Sequence, residues 1–165
     1  SYLPTCVALV SDGSEVAVGG DDNKTHVYSI ADGVLTEVTA IETRSCVTAV
    51  AYHPNSSALA IGDKGRQVEV YGRGSWEAVV RGKWVFHTSQ VTSLAWSPDG
   101  SYLASGSVDA NIFLWDFNKP AAKLQLPFAH TGGVLGLDWL ADDRLVSVGN
   151  DNCFNFWKIK PGDVK

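Results

Sequence analysis

Residues 91–115 read VTSLAWSPDGSYLASGSVDANIFLW, three short strands separated by two turns of different chemistry. Val91 to Trp96 alternates apolar with small or polar side chains, the period-two pattern of a pleated strand with one buried face. Ser97-Pro98-Asp99-Gly100 then turns the chain, Pro fixing φ and Gly taking positive φ. Tyr102 to Gly106 makes a second strand, a tight turn carries Asp109, and Asn111 to Trp115 alternates again and ends on a large aromatic.

The same unit occurs four times. The closing aromatics Tyr28, Tyr71, Trp115 and Trp157 recur at spacings of 43, 44 and 42 residues, within the ~40–45 residues of a four-stranded propeller blade. The opening strands align as CVALV, VTAVAY, VTSLAW and VLGLDW, followed by Ser11-Asp12-Gly13, His53-Pro54-Asn55, Ser97-Pro98-Asp99 and Leu140-Ala141-Asp142. The expected fold is all-β: four consecutive propeller blades, packed face to face, in one segment spanning 1–165. The repeats lie at approximately 5–40, 45–82, 87–127 and 130–160.

In the first repeat a turn centred on Asp22 precedes the third strand, and Val34 to Val38 supplies an outer strand. The second repeat is degenerate, with Gly65 instead of Asp at the tight turn and Lys64 and Arg66 beside it. Arg73 to His87, RGSWEAVVRGKWVFH, is rich in Trp and positive charge and is expected to hold an outer strand and an unusual loop. The third repeat continues to an outer strand around Lys123 to Leu126. In the fourth, Lys160-Pro161-Gly162-Asp163 has no strand pattern, so this blade is expected to lack its outer strand. An open sheet edge is a liability that rings remove by closure. The segment is therefore expected to belong to a larger, seven-bladed ring, completed by the remainder of a longer chain or by a second chain.

Of 165 residues, 45% are hydrophobic and 10% aromatic, with no Met, a balance that suits sheets better than a helical bundle. No run of ~18 apolar residues could cross a bilayer as a helix and no charged-then-apolar leader opens the chain, so a soluble protein without membrane partners is expected. A net charge of −5 with dispersed basic residues argues against nucleic acid as a partner, because phosphate binding draws on clustered Lys and Arg. Cys6, Cys46 and Cys153 are odd in number and far apart, which fits neither a disulfide framework nor a CxxC metal pair and points to a reducing cytoplasm. No metal or cofactor is expected: His26, His53, His87 and His130 lack ligand spacing, and no Gly-rich loop opens a helix.

His87 is followed at 18, 22 and 28 residues by Ser105, Asp109 and Trp115, and His130 at 17, 21 and 27 residues by Ser147, Asp151 and Trp157. Ser, His and Asp together invite a catalytic reading. The repetition favours a structural one: an Asp–His–Ser–indole hydrogen-bond chain would satisfy four buried polar groups and lock the tight turn onto the blade. An enzyme is not expected.

The His, Ser, Asp, Trp pattern closing on Leu114-Trp115-Asp116 resembles the WD-repeat family of β-propellers over nearly the whole chain. More narrowly, VAVGGDDNKTHVYSI, VTAVAYHPNSSALAIGD, the third repeat and GLDWLADDRLVSVGNDNCFNFWKI resemble the C-terminal repeats of the actin-interacting protein 1 family. That resemblance implies a non-catalytic, cytoplasmic and cytoskeletal protein whose partners are actin and cofilin and which promotes filament disassembly. A generic WD-repeat scaffold for another multiprotein complex is the alternative. The pattern is incomplete where Leu3 and Thr43 stand in place of the His, so the first two blades are expected to lack the full set of hydrogen bonds.

A propeller exposes on one face its turns between second and third strands and its loops before first strands. Asp21, Lys64, Val108 and Asn150, with Gln90 beside them, are therefore the candidate partner-binding residues. Trp76 and Trp84, outside the repeat aromatics, join them because Trp is enriched at binding hot spots, with packing between adjacent blades as an equal alternative for both.

Overall fold

In the computed structural model, which describes residues 1–160 and 162–165, period-two patterning has produced fifteen strands among the described residues. Blade one holds β1 (Pro4–Leu9), β2 (Glu15–Gly20), β3 (Lys24–Ala31) and β4 (Val34–Glu42). Blade two holds β5 (Val47–Tyr52), β6 (Ala58–Asp63), β7 (Val68–Gly72) and β8 (Ala78–Trp84). Blade three holds β9 (Val91–Trp96), β10 (Tyr102–Ser107), β11 (Ile112–Asp116) and β12 (Lys123–Leu126). Blade four has three strands, β13 (Val134–Ala141), β14 (Arg144–Gly149) and β15 (Phe154–Lys158). Each sheet is an antiparallel meander in sequence order. The innermost strands β1, β5, β9 and β13 lie against one another in succession.

The missing outer strand of blade four agrees with the reading of the sequence; Pro161 itself lies outside the described residues. The chain end does not extend this blade. Val164 is buried with Ile159, and the Lys165 carbonyl accepts the Lys123 N–H at 2.9 Å, so the tail lies along the outer strand of blade three.

The core lies between blades. One cluster joins Val68, Val70 and Trp84 of blade two to Val91, Trp96, Phe113 and Trp115 of blade three. A second joins Ala104, Ile112 and Leu114 to Val134, Trp139 and Leu145, and a third joins Ala17 and Val27 to Val47, Leu59 and Ile61. Fully burying each large apolar side chain is worth about 1.5–3 kcal/mol, so the blades hold one another together. The corresponding outward faces of blades one and four are exposed, with Val7 67%, Leu9 57% and both Phe154 and Phe156 65% accessible. The four blades therefore form an open arc.

All four first strands are bulged at one place. The pairing shifts across Thr5, Thr48, Thr92 and Leu135. An extra residue there sharpens the twist and frees its side chain from the ladder. The three threonines use that freedom to place a hydroxyl on Gly19 O, Gly62 O and Gly106 O, at 3.0, 3.2 and 3.1 Å.

The turns between second and third strands also share a constraint: Asn23, Arg66, Ala110 and Asn152 have φ of 64°, 75°, 70° and 59°. Asn tolerates this left-handed region; Ala pays a steric penalty there. Ala110→Gly relieves about 1–2 kcal/mol of this strain against about 0.4–1 kcal/mol for the added freedom of the unfolded chain, and is expected to raise stability by roughly 0.5–1 kcal/mol, read as a higher denaturation midpoint.

Candidate protein-interaction face

The tight turn of each blade is tied to the segment entering its first strand. Backbone N–H groups of Asp21, Lys64, Val108 and Asn150 donate to the carbonyls of Leu3, Cys46, Gln90 and Gly133 at 3.1, 2.8, 3.2 and 3.1 Å. These four exposed residues thus hold equivalent places on one rim of the arc, with half-buried Gln90 beside Val108. Their side chains are an acid, a base, a branched aliphatic and an amide, a mixed surface of the kind that reads a protein partner.

Buried groups hold the rim from below. In blade three the Trp115 indole N–H donates to Ser105 Oγ (2.8 Å), Ser105 Oγ meets His87 Nε2 (2.8 Å), and His87 Nδ1 meets Asp109 Oδ2 (3.0 Å). The ionised Asp109 can only accept, so His87 carries a proton on Nδ1 and donates to it; in the neutral imidazole Nε2 is then the acceptor, and Ser105 donates to it while its oxygen accepts the indole N–H. Asp109 also accepts the backbone N–H groups of Thr88 (2.7 Å) and Asn111 (2.9 Å), closing the turn on which Val108 sits. Burial works against its charge, but the hydrogen bonds from His87, Thr88 and Asn111 win and hold its carboxyl down at about 2.

Blade four repeats the arrangement. Trp157 donates to Ser147 (2.8 Å), Ser147 meets His130 Nε2 (2.7 Å), and His130 Nδ1 meets Asp151 (2.9 Å). The His130 hydrogen bond lowers the Asp151 carboxyl below its ordinary value. His130 packs on Gly149, where a Cβ would come within 2.3 Å of the ring, so only glycine admits the imidazole.

Blades one and two fill the same need differently. In blade one the histidine comes from the third strand: His26 bridges Asp22 (3.1 Å) and Glu37 (2.8 Å), and the ring of Tyr2 stacks on it at 3.9 Å. In blade two the acid has moved two places upstream of Gly65. Asp63 Oδ1 accepts the Gln67 N–H at 2.8 Å across the turn, and burial raises its carboxyl pKa. Ile61 replaces the serine, and Tyr71 donates to Glu69 Oε2 at 2.8 Å. Neither His26 nor Asp63 lies where the repeat pattern looks for its polar residue. An acid or imidazole two places from a tight turn was the available signal.

Trp84 requires a correction. It is fully buried, stacks on Trp115 with ring centroids 5.2 Å apart, and donates its indole N–H to Pro120 O at 2.9 Å, so it belongs to the seam between blades two and three. A Trp at a strand end serves packing as readily as binding. Trp76 is half-buried against the first two blades and adopts φ 54°.

The constellation of Ser105, His87 and Asp109 has the connectivity of a catalytic triad, but the hydroxyl is fully buried and already accepts an indole proton. A substrate carbonyl has no approach to it. Among the described residues no His, Cys, Asp and Glu group could hold a metal, and no helix is long and apolar enough to cross a membrane.

The family described as "WD domain, G-beta repeat" matches residues 80–116 and 121–158. Blades three and four are thus WD repeats, and the fold is that of a WD β-propeller. It is similar to the 66 kDa stress protein of Physarum polycephalum, 36% identical over 96% of this chain and 26% of that protein. It is also similar to actin-interacting protein 1 of Caenorhabditis elegans, 36% identical over 96% of this chain and 26% of the relative. The WD-repeat chain spans about a quarter of the length of these relatives. A solved structure of U3-55K superposes with a TM-score of 0.88 at 23% identity, covering 96% of this chain and 50% of that one, a likeness of fold.

Two outcomes test the network. Ser105→Ala strands the His87 Nε2 and the Trp115 N–H in the core and is expected to cost about 1–3 kcal/mol in chemical denaturation, leaving the native far-ultraviolet spectrum unchanged. Asp109, lowered in the folded state from an unfolded value of about 3.9, contributes stability that is full above pH ~4 and fades as pH falls through about 2. The stability difference between the wild type and Asp109→Asn is therefore expected to shrink over that window.

Proposed function

We propose that this chain is a non-catalytic, protein-binding part of a propeller that engages actin filaments together with cofilin and promotes their disassembly in the cytoplasm. The observation that carries the reading is its similarity, over 96% of its length, to actin-interacting protein 1. The rim supports it physically: Asp21, Lys64, Val108 and Asn150, with Gln90, are presented at fixed spacing by turns whose polar groups are satisfied underneath. Binding energy spent on such a rigid surface loses little to ordering. Half-buried Trp76 lies outside these turns and serves as a secondary contact.

The test is co-sedimentation with actin filaments, with and without cofilin. Cofilin-dependent pelleting is expected, and Lys64→Glu combined with Val108→Asp is expected to weaken it by about tenfold or more while leaving the denaturation midpoint nearly unchanged. Absence of pelleting with cofilin present overturns the actin reading and leaves a WD-repeat scaffold of another complex.

A further inference from the structure

The tight turn of blade two gathers positive charge that the other three turns do not carry. Lys64 and Arg66 flank Gly65, and all three are exposed. A Cβ built on Gly65 would lie 3.2 Å from Ser45 Cβ, so the turn packs on the segment entering β5 and brings exposed Arg44 beside the pair. The bond from Lys64 N–H to Cys46 O, at 2.8 Å, holds this approach. When the blades are aligned through these turn-to-entry bonds, Thr88, Val108 and Ala110 take the places of Arg44, Lys64 and Arg66 in blade three, and Thr131, Asn150 and Asn152 take them in blade four. Blade one has Asp21 and Asn23 at the last two places.

These cations have no internal partner. Among the described residues, ion pairs engage Lys24, Arg73, Arg81 and Arg144, and none reaches Arg44, Lys64 or Arg66. In blades three and four the tight turn has its own carboxylate, Asp109 or Asp151, and Gly65 removes it here. The acid that stands in for it, Asp63, is buried and accepts the Gln67 N–H at 2.8 Å. On the neighbouring turn of blade one, Asp21 accepts the Leu3 N–H (2.8 Å) and Asp22 is bonded to His26 (3.1 Å). Arg66 also holds φ at 75°, where blades one and four have Asn. Arginine is strained in that left-handed region and Asn tolerates it, so the guanidinium stands on the rim against the preference of its backbone.

We propose that Arg44, Lys64 and Arg66 form the docking point for an acidic segment of a protein partner, its Asp and Glu carboxylates spaced along an extended chain. The inference rests on the reading of this rim as a protein-binding surface and requires no particular partner. A compact anion such as phosphate is held best where backbone N–H groups converge on it together with arginine. Here the Lys64 and Arg66 N–H groups are consumed by Cys46 O and Asp63 O, and the Gly65 N–H by the Asp63 carboxylate. Three side-chain cations on long stems remain, an arrangement that suits separate carboxylates. A nucleic acid, charged along its whole length, would meet the net charge of −5 beyond this turn.

The probe is a fluorescein-labelled peptide of alternating Glu and Gly, with a Gln-for-Glu peptide beside it, read by anisotropy at low ionic strength. The Glu peptide is expected to bind, more weakly as salt is added, and the Gln peptide is not. The triple variant Arg44→Gln, Lys64→Gln, Arg66→Gln is expected to weaken binding about tenfold or more. Lys119→Gln, Lys158→Gln, Lys160→Gln has the same net charge and is expected to leave it unchanged. All these side chains are exposed, and circular dichroism verifies that each variant is folded. Arg66→Asn alone is expected to weaken binding and raise the denaturation midpoint, because it removes a cation and relieves the backbone. No binding of the Glu peptide by the folded wild type, equal weakening by the two triple variants, or a lower midpoint for Arg66→Asn overturns the proposal. So does inorganic phosphate that displaces the peptide beyond the effect of chloride at equal ionic strength. Absence of cofilin-dependent pelleting with the peptide contact intact overturns the actin reading and leaves this one standing.

Discussion

A buried hydroxyl that must find two partners governs the best-formed half of this molecule. Ser105 and Ser147 sit inside second strands where water is excluded, and each can be satisfied only if an indole N–H reaches it from the third strand and an imidazole from the preceding loop. The imidazole in turn needs an acceptor, and the carboxylate of the tight turn supplies it. One polar requirement thereby joins three strands, a loop and a turn. Because half-satisfied networks in a core of low dielectric are costly, the arrangement is close to all-or-none. Its outward consequence is the fixed position of Val108 and Asn150, adjacent to the two carboxylates.

Between blades the constraint is steric. Glycine on one sheet admits valine from the next, and the hydroxyls of Thr5 and Thr92 and the indole N–H groups of Trp96 and Trp139 donate to carbonyls across the same seams. A one-residue slip would turn each apolar face outward, so the alternation that builds a blade also dictates how it meets its neighbour. Seam and network share residues: Trp115 is anchored to Ser105 within blade three and stacks on Trp84 of blade two.

The repeat period, the turn chemistry and the polar sets of blades three and four were legible in the sequence, because each residue recurs at nearly the same offset from its neighbours. The three-stranded state of blade four was legible from the loss of alternation after Ile159. What escaped was substitution by function. His26 serves blade one from another strand, and Asp63 serves blade two from before the turn, so neither appears when residues are compared position by position. Trp84 stands between binding and packing in the sequence, because an aromatic in a charged stretch fits either until the neighbouring blade that covers it is in place. The bulges were illegible because Thr5, Thr48 and Thr92 look like ordinary strand residues.

The scaffold account makes the Asp–His–Ser chain a static support for a binding rim, with a single direction of donation running from indole to carboxylate. Nitrogen-15 detected NMR of the His87 ring at neutral pH tests this most directly. The account predicts the proton on Nδ1, slowly exchanging, with Nε2 accepting from Ser105. A ring protonated at Nε2, or one exchanging freely with solvent, would contradict it.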